Sequence, residues 1–204
     1  MPKTRIKLLE SYEAELVRNG AKKKGMIIAV DGLSGSGKSS VVEFLQKAFP
    51  KLRRIHPGGI FRENAKKAGM TLEEYCKTRS EDDDFETDKE VMKRCLEGNA
   101  ISDGRISAWV IGGWADAKVY VVCPLQIKAP RIAKREGTTL DEARRKLEER
   151  DGADARRYKK MYGIDLNDLS IYDFIIDNSG SFKELEASVK KVAEEIKLAI
   201  KEDI

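Results

Sequence analysis

The sequence predicts an α/β protein built on one parallel sheet, and three of its features say so. Short apolar runs alternate with segments of helical spacing, a glycine-rich run joins one apolar run to the helical stripe after it, and several helix starts are written as capping boxes. At 204 residues the chain is long enough to bury a full core and short for two independent domains. One unit with subdomains is expected.

Residues 1–25 form a charged N-terminal extension, with Ile6, Leu8, Leu9, Tyr12, Leu16 and Val17 at loosely helical spacing and the basic run Lys22-Lys23-Lys24 before Gly25. This reads as an amphipathic helix and a linker; packing on the domain at 26–204 is the expected use of such a stripe, and a membrane-surface or partner helix is the other. An apolar β-type run at 26–31 leads into the glycine-rich turn, and a helix with Val41, Val42, Leu45 and Phe49 follows, stopped at Pro50. Further strands are expected at 53–55, 100–102, 119–122 and 172–176, which makes five. Thr71 with Glu74, Thr139 with Glu142 and Ser181 with Glu184 have capping-box spacing, and Gly69, Gly98 and Gly163 mark helix ends. The last helix carries Leu185, Val189, Val192 and Ile196 on one stripe, which is expected to cover the sheet.

Charged residues reach 36%, against roughly 25% in an average soluble protein. The net charge of +4 from 39 basic and 35 acidic residues is too balanced for a nucleic-acid polymer as partner. No apolar run is long enough to cross a bilayer and no signal-peptide hydrophobic region is present, so a cytoplasmic protein without a membrane partner is expected. Cys76, Cys95 and Cys123 are odd in number and contain no C-x-x-C pair, which fits a reducing compartment and three small buried side chains.

The run Gly32-Leu33-Ser34-Gly35-Ser36-Gly37-Lys38-Ser39 has the composition and context of a P-loop. Backbone N–H groups can wrap phosphate oxygens only where glycine lets the chain turn sharply and come close. Lys38 then reaches the β and γ phosphates, the Ser39 hydroxyl ligates Mg²⁺, Ser40 adds a second hydroxyl, and the following helix points its positive end at the anion. ATP with Mg²⁺ is the ligand this predicts. Asp103, at the end of a predicted strand, has two readings: a carboxylate holding a water on the metal, or a cap for the next turn.

The acceptor is legible through what is scarce. His56 is the one histidine, and a kinase acting on an alcohol usually positions an imidazole or carboxylate as base. A phosphate acceptor, with a second pKa around 6, needs cations instead. Arg62, Arg105, Arg131, Arg135, Arg150, Arg156 and Arg157 are read as lying next to element boundaries, where guanidinium forks can hold two sets of phosphates. Trp109 and Trp114 can stack on a base, although packing is their commoner use.

The patterns Gly58-Gly59-Ile60-Phe61-Arg62, Asp103-Gly104-Arg105, Arg131-Ile132-Ala133-Lys134-Arg135-Glu136-Gly137 and Arg150-Asp151-Gly152-Ala153-Asp154-Ala155-Arg156-Arg157-Tyr158 resemble cytidylate kinases, especially the short archaeal type. The stretches 156–165 and 168–173 look particularly like that branch, and the likeness runs over 26–179. The resemblance implies a P-loop nucleoside-monophosphate kinase fold, with a five-stranded parallel sheet flanked by helices, an inserted monophosphate-binding region around 58–98 and a lid around 131–157. It also implies roles. Arg62 and Arg105 would hold the CMP phosphate, Arg150 and Asp154 the sugar, and Arg157 the phosphate again as the lid closes. Arg131 and Arg135 would face the ATP phosphates or the transferring group, which with Lys38, Arg105 and Arg157 makes the catalytic set.

Three departures stand out: His56-Pro57-Gly58 where similar kinases carry a serine-containing approach, Pro130 in a segment that is normally a plain helix, and the extra residues 1–25. Pro130 removes one helical hydrogen bond and is expected to kink the helix below the lid. The sequence reading is a monomeric, Mg²⁺-dependent enzyme moving the γ-phosphoryl group of ATP to CMP or dCMP. Its rivals are a P-loop kinase of another nucleotide or small alcohol, and a non-enzymatic module that senses ATP.

Overall fold

The computed structural model describes residues 5–78 and 80–202. In chain order the elements are α1 (Arg5–Arg18), β1 (Ile27–Asp31), α2 (Lys38–Ala48), β2 (Arg53–Ile55), α3 (Pro57–Lys67), α4 (Leu72–Thr78), α5 (Glu81–Leu96) and β3 (Ala100–Asp103). Then come α6 (Ser107–Ile111), a 3₁₀ turn at Gly112–Trp114, β4 (Ala117–Val122), α7 (Leu125–Glu136), α8 (Leu140–Tyr162), β5 (Phe174–Asp177) and α9 (Phe182–Glu202). The five strands form one parallel sheet in the order β2-β3-β1-β4-β5.

β1 is central because its residues are apolar enough to be buried on both faces; all five are buried. Its side chains alternate: Ile27 joins a cluster with Leu9, Met92 and Ile111, while Ile28 and Val30 join one with Val41, Leu45, Val189 and Ile196. The expected stripe of α9 therefore covers the sheet beside α2. β1 is flanked by β3 and β4, so the loop after it opens into a crevice at the carboxyl ends of the strands, where α/β sheets place ligands.

Local signals mark several helix starts. The Thr71, Thr139 and Ser181 hydroxyls accept the N–H groups of Glu74, Glu142 and Glu184, whose carboxylates bind back. A fourth box, Ser80 with Asp83, escaped notice because its third position is Asp instead of Glu. In α1, Leu9 and Tyr12 are buried against the domain, with Lys89 Nζ 5.0 Å and Lys93 Nζ 5.9 Å from the centre of the Tyr12 ring, while Val17 faces outward. The Ile6 side chain lies outside the described residues. Trp109 and Trp114 pack against the same cluster as α1.

Two expectations need correction. Most of the arginines do not lie at element boundaries: Arg105 is in a loop and Arg135 in the last turn of α7, but Arg62 lies inside α3, Arg131 inside α7, and Arg150, Arg156 and Arg157 inside α8. Gly152 sits within the 23-residue helix α8, its Cβ position 3.3 Å from Arg156 Nη1. A helical glycine costs about 1 kcal/mol relative to alanine, too little to end a helix packed along its length. Cys123 is also only partly buried, its Sγ donating to Asn178 O at 3.3 Å; Cys95 is wholly buried, and burial pushes its thiol up to about 12. The Cys76 side chain lies outside the described residues. α7 carries Pro130 in its interior and continues to Glu136.

Candidate active site

The turn after β1 is shaped by neighbours that leave no room for side chains. A Cβ on Gly32 would sit 2.6 Å from Val121 O and 2.7 Å from Ser36 Oγ, and one on Gly37, whose φ is +93°, would run into the Asn178 amide. Gly37 is the N-cap of α2, so the positive end of that helix opens into a cleft of about 420 Å³ lined by residues 35–40, Arg131, Ile132, Arg135 and the turn at 180–182. Lys38 Nζ is folded back on Gly32 O at 2.6 Å and Leu33 O at 3.1 Å. Burial, and then the nearby Arg105, lower its pKa to about 8.

Beside this turn, β3 ends at Asp103 and delivers Arg105. The guanidinium donates to Asp154 Oδ2 at 2.8 Å, Gly32 O at 2.8 Å and Ser34 Oγ at 2.5 Å, so it spans the phosphate loop and α8. What steadies the Arg105 loop is Asp31, at the end of β1. Its buried carboxylate accepts the N–H groups of Ser107 at 2.7 Å and Ala108 at 2.8 Å and the Tyr172 hydroxyl at 3.1 Å. Burial raises its pKa; the three donors work against that and offset a desolvation cost of several kcal/mol.

On the far side of Arg105 lies a second cleft, lined by Pro57, Phe61, Asp84, Asp88, Val110 and Arg157 among others. Arg157 pairs with Asp84, and the Tyr162 hydroxyl donates to Asp88. Arg54 donates to Asp103 Oδ2 through both Nε and Nη2, and through Nη2 also to Ser39 Oγ at 3.1 Å. The Ser39 hydroxyl and the Asp103 carboxylate thus converge on a point already occupied by positive charge. That donor set, one neutral oxygen and one anionic oxygen beside a phosphate loop, fits a hard divalent cation.

The α7–α8 hairpin closes over the loop. Arg131 donates to Asn178 O at 2.7 Å and Gly180 O at 2.5 Å. Asp151 on α8 accepts both the Ser34 N–H and the buried Lys128 ammonium at 2.8 Å. Burial alone would raise the Asp151 pKa, but these two partners hold it below the usual range.

A cleft at the phosphate loop and a second cleft whose lining Arg105 bonds to that loop suit a donor and an acceptor held together. Residues 12–180 match the cytidylate kinase-like family. The chain belongs to that family. Among curated members, the cytidylate kinase of Methanopyrus kandleri is 36% identical over 179 residues, spanning 82% of this chain and 92% of its own. That of Pyrococcus abyssi is 37% identical over 178 residues, spanning 84% and 97%. Solved structures bear on the fold alone. A shikimate kinase from Bacteroides thetaiotaomicron aligns with a TM-score of 0.56 at 16% identity, covering 84% of this chain and 98% of its own. An uncharacterized protein from Eubacterium ventriosum reaches 0.62 at 16% identity over 83% and 98%.

For this member of the cytidylate kinase-like family, the residues named from sequence fall into groups. Lys38, Ser39, Ser40, Arg131 and Arg135 line the loop cleft; Arg105 and Arg157 line the second, where Asp154 holds Arg105. Arg62 is exposed on α3, near enough to His56 to add slightly to the lowering of its pKa by burial. Arg150 is exposed one turn before Asp154 and bears electrostatically on Glu136. Sequence reasoning missed Asp31, Arg54, Asp151 and Asn178, the last donating to Ser36 O at 2.8 Å beneath the loop. A polar turn after β5, at the carboxyl end of the sheet, was the available signal for Asn178.

Proposed function

We propose that this chain is a nucleoside-monophosphate kinase that moves the γ-phosphoryl group of ATP to CMP or dCMP, giving ADP and CDP or dCDP. The observation that carries this is Arg105, which lines the second cleft and is bonded at once to the phosphate loop and to Asp154 on α8. The relatives' names support cytidylate as the acceptor.

In this reading residues 32–40 cradle the ATP phosphates with backbone N–H groups and the α2 terminus, and Arg131 and Arg135 lie over them. Lys38 leaves the Gly32 and Leu33 carbonyls for the β and γ phosphates. Arg62, Arg105 and Arg157 hold the acceptor phosphate, and Arg150 and Asp154 the sugar. A phosphate oxygen of CMP attacks in line, forming its bond to the γ phosphorus as the bond to the β–γ bridging oxygen breaks. Lys38 and the arginines neutralise charge on the equatorial oxygens. No protein base is needed, because the acceptor is already ionised near neutral pH. Mg²⁺, bound with ATP, would add charge neutralisation across the β and γ phosphates; Ser39 and, through water, Asp103 would hold it. The protein acts in this reading as a cytoplasmic monomer with no nucleic-acid or membrane partner. Among the described residues, no helix is long and apolar enough to cross a membrane.

A coupled assay of ADP release across AMP, CMP, dCMP, UMP and GMP tests the proposal. CMP or dCMP should give the highest kcat/KM. A different best acceptor, or ADP release that ignores the acceptor, contradicts it.

A further inference from the structure

A guanidinium stands where the side chains assigned to Mg²⁺ meet. β2 is an edge strand, paired in parallel with β3 so that Arg54 lies opposite Ile101. Residues two apart on a strand share a face, so the long Arg54 side chain runs along β3 toward Asp103, two positions beyond Ile101. There it donates to Asp103 Oδ2 from Nε at 2.8 Å and again from Nη2, and Nη2 also donates to Ser39 Oγ at 3.1 Å. One nitrogen thus stands between the hydroxyl and the carboxylate. The Asp103 side chain is only 7% exposed, whereas Arg54 is 34% exposed and can turn out to water without carrying its charge into the interior.

A buried carboxylate without a counter-charge is destabilising, so Asp103 needs a cation while the cleft holds no nucleotide. Arg54 supplies it. A divalent cation held by Ser39 and, through water, by Asp103 competes for the same gap, and two positive charges side by side in a site with little water repel strongly. Arg54 must therefore turn away before both groups can serve the metal. A ligand that binds only the turned-away state loses apparent affinity in proportion to the rarity of that state, about tenfold where one molecule in about ten has it.

We propose that Arg54 is a resident counter-cation that competes with Mg²⁺ for Ser39 and Asp103, and that it leaves them only when the metal arrives with ATP. This rests on the reading of the loop cleft as a Mg²⁺–ATP site. The test measures ATP affinity by calorimetry, without CMP, in the presence and absence of saturating Mg²⁺; the ratio of the two is the coupling between metal and nucleotide. In Arg54→Met that ratio should rise at least about tenfold over the unaltered enzyme. Arg54→Lys keeps the charge but lacks the fork that spans both oxygens, and there the ratio should rise at least about threefold. A ratio above one that Arg54→Met leaves unchanged or lowers overturns the proposal. So does a rise in Arg54→Met with none in Arg54→Lys, since the effect would then be that of a nearby charge and not of an occupied position. The unaltered enzyme gives an independent readout in the NMR signal of the Arg54 Nε–H group, assigned by its loss in Arg54→Lys. That signal should keep its position on addition of ATP alone and move when Mg²⁺ is added as well; a signal unmoved by both together overturns the proposal. Failure of the underlying reading looks different: ATP would not bind, or would bind no more tightly with Mg²⁺, in any of these proteins.

Discussion

Lys38 is the residue on which most of the chemistry converges. Lys38→Ala should keep its fold and lose at least about a hundredfold in kcat, because a preorganised charge at a transferring phosphoryl group is worth several kcal/mol. Its lowered pKa, about 8, adds a second expectation. Below that pH the free enzyme already carries the ammonium; above it, ATP must bring a proton back as its phosphates raise the pKa again. ATP affinity should thus be flat below about pH 8 and weaken above, with proton uptake visible just above that pH by calorimetry in buffers of different ionisation enthalpy. Binding without proton uptake there would mean the ammonium is not shifted.

His56 supplies the contrasting case. Burial, with Arg54 and Arg62 adding to it, lowers its pKa and favours the neutral imidazole, while the acid limb is expected from the second ionisation of CMP itself, near 6. The acid limb of kcat/KM for CMP should remain in His56→Asn, and a displacement of a full unit would implicate the imidazole. Glycines and Lys38 were legible because the loop's chemistry lies in consecutive residues. Asp31, Arg54, Asp151 and Asn178 were not, since their partners stand 76, 49, 117 and 142 positions away.

At the scale of elements, the Lys128–Asp151 pair, whose side chains are only 5% and 17% exposed, ties α7 to α8, and Asp151 also accepts the Ser34 N–H of the phosphate loop. Removing one member of a buried pair strands the other, at a typical cost of about 3 kcal/mol. Lys128→Ala should lower unfolding free energy by about that much in urea titrations; a loss below about 0.5 kcal/mol would show that the pair is not a tie. Capping boxes made the starts of α4, α8 and α9 readable, because their bonds span three residues. The length of α8, which runs through Gly152, was not readable, because α8 is held by packing against α7, which no local pattern reveals.

For the whole molecule, five parallel strands were legible from alternating runs, and the edge strand β2 even had its bounds right. The order β2-β3-β1-β4-β5 was not, because it depends on which strands meet after the intervening helices have packed. That order sets β1 between β3 and β4 and so brings the phosphate loop, Asp103 and Arg105 together. The central claim is a transfer between two clefts, and its most direct measurement follows the phosphorus itself. With ATP labelled at the γ position, CMP and Mg²⁺, the label should appear as the β-phosphoryl group of CDP, one CDP for each ADP, and Lys38→Ala should suppress both together. Label released as inorganic phosphate, with CMP unchanged, would contradict the account.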